Sequence, residues 1–153
     1  MCAEDSETVK QNWEKIKLTE GRKSVLSGVP RSLPAMIKAQ RIKEKAQGVG
    51  FDWENASGVW DKVCEEMEEL HDEVERGDKE AMKKELGDVF FSLINYAEHL
   101  GINAEDALET TNKKFISRFM TMERLIESAG GNISQMSVDD MEVFWQEAKK
   151  YDK

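Results

Sequence analysis

The 153-residue sequence predicts an all-α protein, and three observations carry that reading. Apolar residues recur at spacings of three and four along most of the chain, as on one face of an α-helix. Glycines at Gly77, Gly101 and Gly130-Gly131 punctuate the periodic segments where helix C-termini need them. Both prolines, Pro30 and Pro34, fall early, and no later segment shows the period-2 alternation of a strand. The pattern builds a bundle of four to five helices.

The first helix is predicted from Pro34 to Gln47, ending at the GVG that follows. The second runs from Glu54 to Glu75 and closes at Gly77-Asp78. The third runs from Lys79 to Leu100, with Gly101 just past its end as a C-cap. The fourth starts at Asn103, with Asp106 three residues on in a capping-box-like pattern, and ends at Gly130-Gly131. The fifth begins at Ser137, with Asp140 at the matching position, and reaches Lys150. Residues 1–33 read differently: they are polar, hold a short helix around Asn12 to Leu18, and pass into GRKSVLSGVP. They form an arm or linker ahead of a helical domain over residues 34–153.

Twenty-two Lys and Arg against 31 Asp and Glu leave a net charge of −9. Nucleic acid as a main partner is thereby disfavoured, since phosphate backbones need a basic footprint. A small phosphate ligand is not, because a bound divalent cation reverses the field at one site. Cys2 and Cys64 make neither a disulfide framework nor a zinc spacing, which points to a reducing compartment. The polar N-terminus is unlike a presequence, and no apolar run approaches the ~20 residues of a membrane span. A cytoplasmic protein with no membrane partner is the expectation.

The acids of EEMEELHDEVERGDKEAMKKELGDVFF, residues 65–91, pose the functional question. On the second helix Trp60, Val63, Met67, Leu70 and Val74 make an apolar stripe, and Glu66, Glu69 and Glu73 share another face. Alone, that is an amphipathic helix with a solvated acidic side. The third helix is apolar over more than half its circumference, through Met82, Leu86, Val89, Leu93, Ala97 and Leu100, widened by Phe90, Phe91 and Ile94. Glu85, Asp88, Ser92 and Asn95 are left as a narrow polar stripe, so its acids are expected to be partly enclosed. Gly87, costly inside a helix by roughly 1 kcal/mol against alanine, marks either close packing or room for a ligand. Folded as an antiparallel hairpin about Gly77-Asp78, the two helices put Glu66 and Glu69 at the height of Glu85 and Asp88. Each carboxylate pair at about 4 Å costs on the order of 1 kcal/mol in water and ~4 at an effective dielectric near 20. Such a cluster stays wet, takes up protons or binds cations. Hard oxygen ligands without cysteine or histidine favour Mg²⁺, with Mn²⁺ as a substitute. On the fourth helix Lys114 and Arg118 share a face, either as surface bases or as a polyphosphate holder, and Phe115 and Phe119 belong to the core side.

The runs KVCEEMEEL, KKELGDVFF and NKKFISRF resemble the MazG nucleoside triphosphate pyrophosphohydrolases, whose signature is E-E-x-x-E followed by E-x-x-D. NWEKIK, PRSLPAMIKAQRIKEKAQGVGFDW and MEVFWQEAKK extend the likeness to the second, C-terminal domain of two-domain members, and AEDSETVKQNWEKIK resembles their interdomain connection. The resemblance implies an all-α bundle that dimerises and, with Mg²⁺, hydrolyses (deoxy)nucleoside triphosphates to the monophosphate and pyrophosphate. It implies Glu66, Glu69, Glu85 and Asp88 as metal ligands and Lys114 and Arg118 as phosphate contacts. Trp145, which its own setting marks as core, is implied at the nucleotide, with Lys62 and Glu65 in the same substrate-binding stretch. Glu65 and Glu69 are both candidates for accepting a water proton.

Two other readings compete. A di-iron bundle needs two E-x-x-H motifs; Glu68 and His71 give one, while His99 has no acid three residues before it, so both histidines read as surface residues. A non-catalytic helical dimerisation or interaction module would use the same apolar stripes and leave the acids in water.

Overall fold

In a computed structural model, residues 24–52 and 56–151 are described. Among them are five α-helices and no β-strand: α1 (Ala35–Gln47), α2 (Ala56–Arg76), α3 (Lys79–His99), α4 (Ala104–Ser128) and α5 (Val138–Ala148). Short 3₁₀ turns at Val25–Gly28, Ile133–Gln135 and Lys149–Tyr151 accompany them. The expected helix near Asn12–Leu18 lies outside the described residues.

Local chemistry sets the boundaries. Pro34, without an N–H to lose, sits at the N-cap of α1. Gly77 takes a φ of 76°, which lets α2 end and the chain reverse at once. Asp78 then caps α3, its carboxylate accepting from the Glu80 and Ala81 amides at 3.0 and 3.1 Å. At α5 the predicted cap forms with one half of the box: Ser137 Oγ accepts from the Asp140 amide at 3.1 Å, while the Asp140 carboxylate accepts from the Ser137 hydroxyl at 2.6 Å.

The chain divides into two compact units, one up to Ala104 and one from Glu105. In the first, α2 and α3 pack along their length as the antiparallel hairpin, and α1 lies on α3 over a shorter stretch. Val59, Val63, Val89 and Ile94 are its buried apolar residues, and Trp60 and Tyr96 meet with ring centroids 5.3 Å apart. In the second unit Met122, Ile126 and Ala148 are the buried centre, covered by residues such as Phe119, Phe144 and Trp145.

Burial on α3 runs against ordinary expectation. Leu86, Phe90, Phe91, Leu93 and Leu100 are exposed, whereas Ser92 and Asn95 of the polar stripe are 7% and 6% exposed. On α2, Trp60, Met67 and Val74 of the apolar stripe are likewise exposed. Part of each polar face, Glu66 on α2 and Ser92 and Asn95 on α3, thus turns inward beside the buried valines and Ile94, while much of the apolar surface is presented outward. Gly87 fits that arrangement: a Cβ there would meet no heavy atom within 4 Å, so close packing inside the chain does not explain it.

Candidate functional site

Glu66 from α2 meets Glu85 and Asp88 from α3, with one oxygen of each within 4.8 Å of the others. The hairpin turn sets the register that brings them together, and the spacing of three on α3 puts its two acids on one face. Glu66 is 7% exposed, Glu85 is half-buried and Asp88 is open to solvent, so the cluster is closed on one side and accessible on the other. Glu69, expected at the same height, stands outside the three-oxygen set, yet its charge still acts on Glu85. Desolvation first, then Glu69, Asp88, Glu66 and Glu73, holds the Glu85 carboxyl above the ordinary carboxylate range.

Lys62, one turn before Glu66, reaches it at 2.7 Å and Glu65 at 3.0 Å. Hydrogen bonds to Glu66 and then Glu65 raise the Lys62 ammonium above the usual lysine value. The buried carboxylate therefore carries a counter-charge of its own. The three gathered donors are all oxygen, and a converging set of hard, negatively charged ligands suits a divalent cation such as Mg²⁺ or Mn²⁺ better than a soft metal.

The second unit holds the other predicted contacts. The Arg118 guanidinium lies over the Trp145 ring, 5.0 Å from its centroid, a cation–π arrangement. Phe115 meets Trp145 at 5.1 Å and Phe119 at 6.1 Å between centroids. Trp145 also packs on the buried centre, so the core role expected of it from sequence is real. Phe115, expected on the core side, is exposed, and Lys114 is exposed as well.

A polar seam between α1 and α3 was not read from the sequence as a unit. Gln40 and Lys43 on α1 are 8% and 4% exposed, and they recur with Gln47 at spacings of three and four, a polar helical face that could have been recognised. Asp52 accepts from Gln47 at 2.9 Å, pairs with Lys43 at 3.5 Å and meets His99 at 3.0 Å. His99 is thus no surface residue, its side chain being 14% exposed, because α3 ends against the segment that follows α1. His71, by contrast, is exposed as expected. Burial pushes the Glu98 carboxyl up to about 7, helped by Glu44 and Asp52 and opposed by Lys43 and His99.

Residues 57–122 match the MazG nucleotide pyrophosphohydrolase domain. The chain contains a MazG domain. Lys62, Glu65, Glu66, Glu69, Glu85, Asp88, Lys114 and Arg118 fall inside the matched residues, and Trp145 lies beyond them. The chain is 39% identical over 154 aligned positions to the nucleoside triphosphate pyrophosphohydrolase of Escherichia coli K12, covering 97% of this chain and 59% of that protein. It is 36% identical over 146 positions to the nucleoside triphosphate pyrophosphohydrolase/pyrophosphatase MazG of Thermotoga maritima, covering 94% and 56%. A third relative, the uncharacterized protein YabN of Bacillus subtilis, is 42% identical over 98% of this chain and 32% of its own length. The MazG-domain chain therefore spans less than two thirds of each of these relatives.

Proposed function

We propose that this protein hydrolyses (deoxy)nucleoside triphosphates to the monophosphate and pyrophosphate, as an enzyme of nucleotide-pool control or house-cleaning. The observation that carries the proposal is the convergence of Glu66, Glu85 and Asp88 inside a MazG domain whose relatives are named for that activity. Glu66, Glu85 and Asp88, with Glu69 beside them, would hold Mg²⁺ or Mn²⁺. A cation so held would neutralise phosphate charge and activate the attacking water. The chain's own residues do the rest. Lys62 holds Glu66 in place through its ion pair, and Lys114 and Arg118 bind phosphate oxygens, Arg118 steadied by the Trp145 ring. Trp145 also serves the nucleotide. Glu69 is the base we assign to the water proton, since a Glu65 oxygen is already engaged by Lys62. Contacts to phosphates are shared by all nucleoside triphosphates, so broad specificity follows.

Further parts of the proposal concern setting. The outward apolar residues of α2 and α3 are the surface of a homodimer. Residues 1–33 are an arm to the MazG-type catalytic domain of 34–153, and the protein works in the cytoplasm. No described helix is long and apolar enough to cross a membrane.

The test is pyrophosphate release from a panel of ribo- and deoxynucleoside triphosphates, with Mg²⁺, with chelator and with Glu85→Ala. Release that both chelator and substitution abolish supports the proposal. No release from a folded dimer, with no Mg²⁺-dependent shift in melting temperature, supports the interaction-module reading instead.

A further inference from the structure

Two buried side-chain oxygens among the described residues have no hydrogen-bond partner, Asn95 Oδ1 and Glu98 Oε2. Both are acceptors, both belong to α3, and they are three residues apart, so they neighbour each other on one side of the helix. A buried acceptor without a donor keeps the full cost of its lost hydration, and an instance in a folded protein calls for an explanation, of which a bound water and a ligand donor are two. Ser92, between them and the acids, is satisfied within the helix, donating to the Val89 carbonyl at 2.9 Å.

Position relates the pair to the acids. Asn95 lies seven residues beyond Asp88 on the same polar stripe, about 10.5 Å along the axis at 1.5 Å per residue. A triphosphate held at Glu85 and Asp88 that runs its nucleoside along α3 has two directions to choose from. Toward the helix N-terminus the same side offers half-buried Ala81 and Met82, and its polar side chains, Asp78 and Lys84, are exposed. Toward the C-terminus it offers buried Ser92 and Asn95 and then Glu98, with Gln40 and Lys43 buried on α1. Polar side chains at that depth match the polar edge of a nucleobase. Two adjacent acceptors, moreover, match a donor that carries two N–H bonds.

We propose that Asn95, with Glu98 beside it, reads the exocyclic amino group of the nucleobase, so that triphosphates of amino-bearing bases are hydrolysed in preference to those without one. The inference rests on the pyrophosphohydrolase reading above and grades activity within its broad range. Both oxygens are shielded from solvent in the unliganded fold, so the base enters by displacing long α1 side chains such as Lys43 and Gln40, where α1 meets α3 over only a short stretch.

The test compares kcat/KM for dATP with that for the triphosphate of purine deoxyriboside, which differs only in lacking the 6-amino group. Wild type is expected to favour dATP by about tenfold or more, the size of one buried hydrogen bond to substrate. Asn95→Leu, near in volume but without an acceptor, brings the ratio toward one, and Asn95→Asp, which keeps the acceptor, preserves it. Equal rates on the two purines in wild type overturn the proposal without needing any variant to fold. A preference that survives Asn95→Leu overturns it too, as does an unchanged ratio accompanied by lowered stability, which would make Asn95 an internal partner of protonated Glu98. A sugar arm with dATP and 2′,3′-dideoxy-ATP is included: discrimination that appears there instead, and vanishes in Asn95→Leu, moves the contact to the ribose and sinks the base-reading claim. Hydrolysis of no triphosphate at all by wild type brings down the parent reading and this one together.

Discussion

Replacing Glu98 by glutamine should make the protein more stable at pH 8 than the wild type, relative to the same comparison at pH 5. The folded carboxyl sits at about 7 against an ordinary 4.5, chiefly through desolvation, so the folded state binds the proton more tightly than the unfolded one. Below pH 4.5 both states are protonated and the group costs nothing. Between pH 4.5 and 7 the unfolded chain releases its proton first, and native stability falls as pH rises. Above pH 7 the full penalty of a charged Glu98 is present. At 1.36 kcal/mol per tenfold the ceiling is about 3.4 kcal/mol. The residue is only half-buried, and screening by solvent reduces the expected penalty to about 1–2 kcal/mol. Glutamine keeps the shape and cannot ionise, so the stability gap between variant and wild type should move by that amount in the variant's favour from pH 5 to pH 8. Urea unfolding followed by helical circular dichroism, without divalent cations, measures it, and other titrating groups cancel in the comparison. A gap equal at both pH values would falsify the claim that the fold holds the Glu98 carboxyl above its ordinary value. A gap that moves toward the wild type would reverse its sign.

Four further outcomes follow from the geometry. Asp88→Asn should remove both Mg²⁺-dependent pyrophosphate release and the Mg²⁺-dependent rise in melting temperature, while circular dichroism shows the fold intact. Lys62→Ala leaves the buried Glu66 carboxylate without its nearest cation and should cost about 1–2 kcal/mol in chelator, with part of the loss recovered in Mg²⁺; equal losses in both buffers would refute the link. Arg118→Ala should raise KM for nucleoside triphosphate and cost about 0.5–1 kcal/mol of stability through the lost Trp145 contact, read by steady-state kinetics and thermal melting. Phe90→Glu, on the exposed apolar face of α3, should shift a dimer toward monomer in sedimentation; an unchanged mass would remove that face from the interface.

The helices were legible because their ends are written in local chemistry. Asp78, Ser137 and Asp140 act within three residues of where they stand, and Gly77 and Gly101 take the positive φ values, 76° and 70°, that helix ends demand. Register across one short turn was enough to gather Glu66, Glu85 and Asp88. Glu69 stays outside that three-oxygen set, yet it is close enough for its charge to act on Glu85 ahead of those of Asp88 and Glu66. Burial was harder still. Periodicity separates a polar face from an apolar one but does not say which is turned inward, and on α3 Asn95 is enclosed while Leu93 is not. The clasp of His99 on Asp52 joins residues 47 apart, a contact of the tertiary fold that local spacing cannot anticipate.

Lys62 gives the acidic cluster a resident stand-in for part of the charge it lacks. A protein whose buried carboxylate is answered by its own side chain does not depend on a metal to hold its shape, unlike small domains that unfold when stripped. It should stay folded in chelator, which circular dichroism checks. Under the proposed function, a loss of activity in chelator would report on the reaction and not on collapse of the scaffold, and re-addition of Mg²⁺ should restore activity on the timescale of ion binding, without a refolding lag.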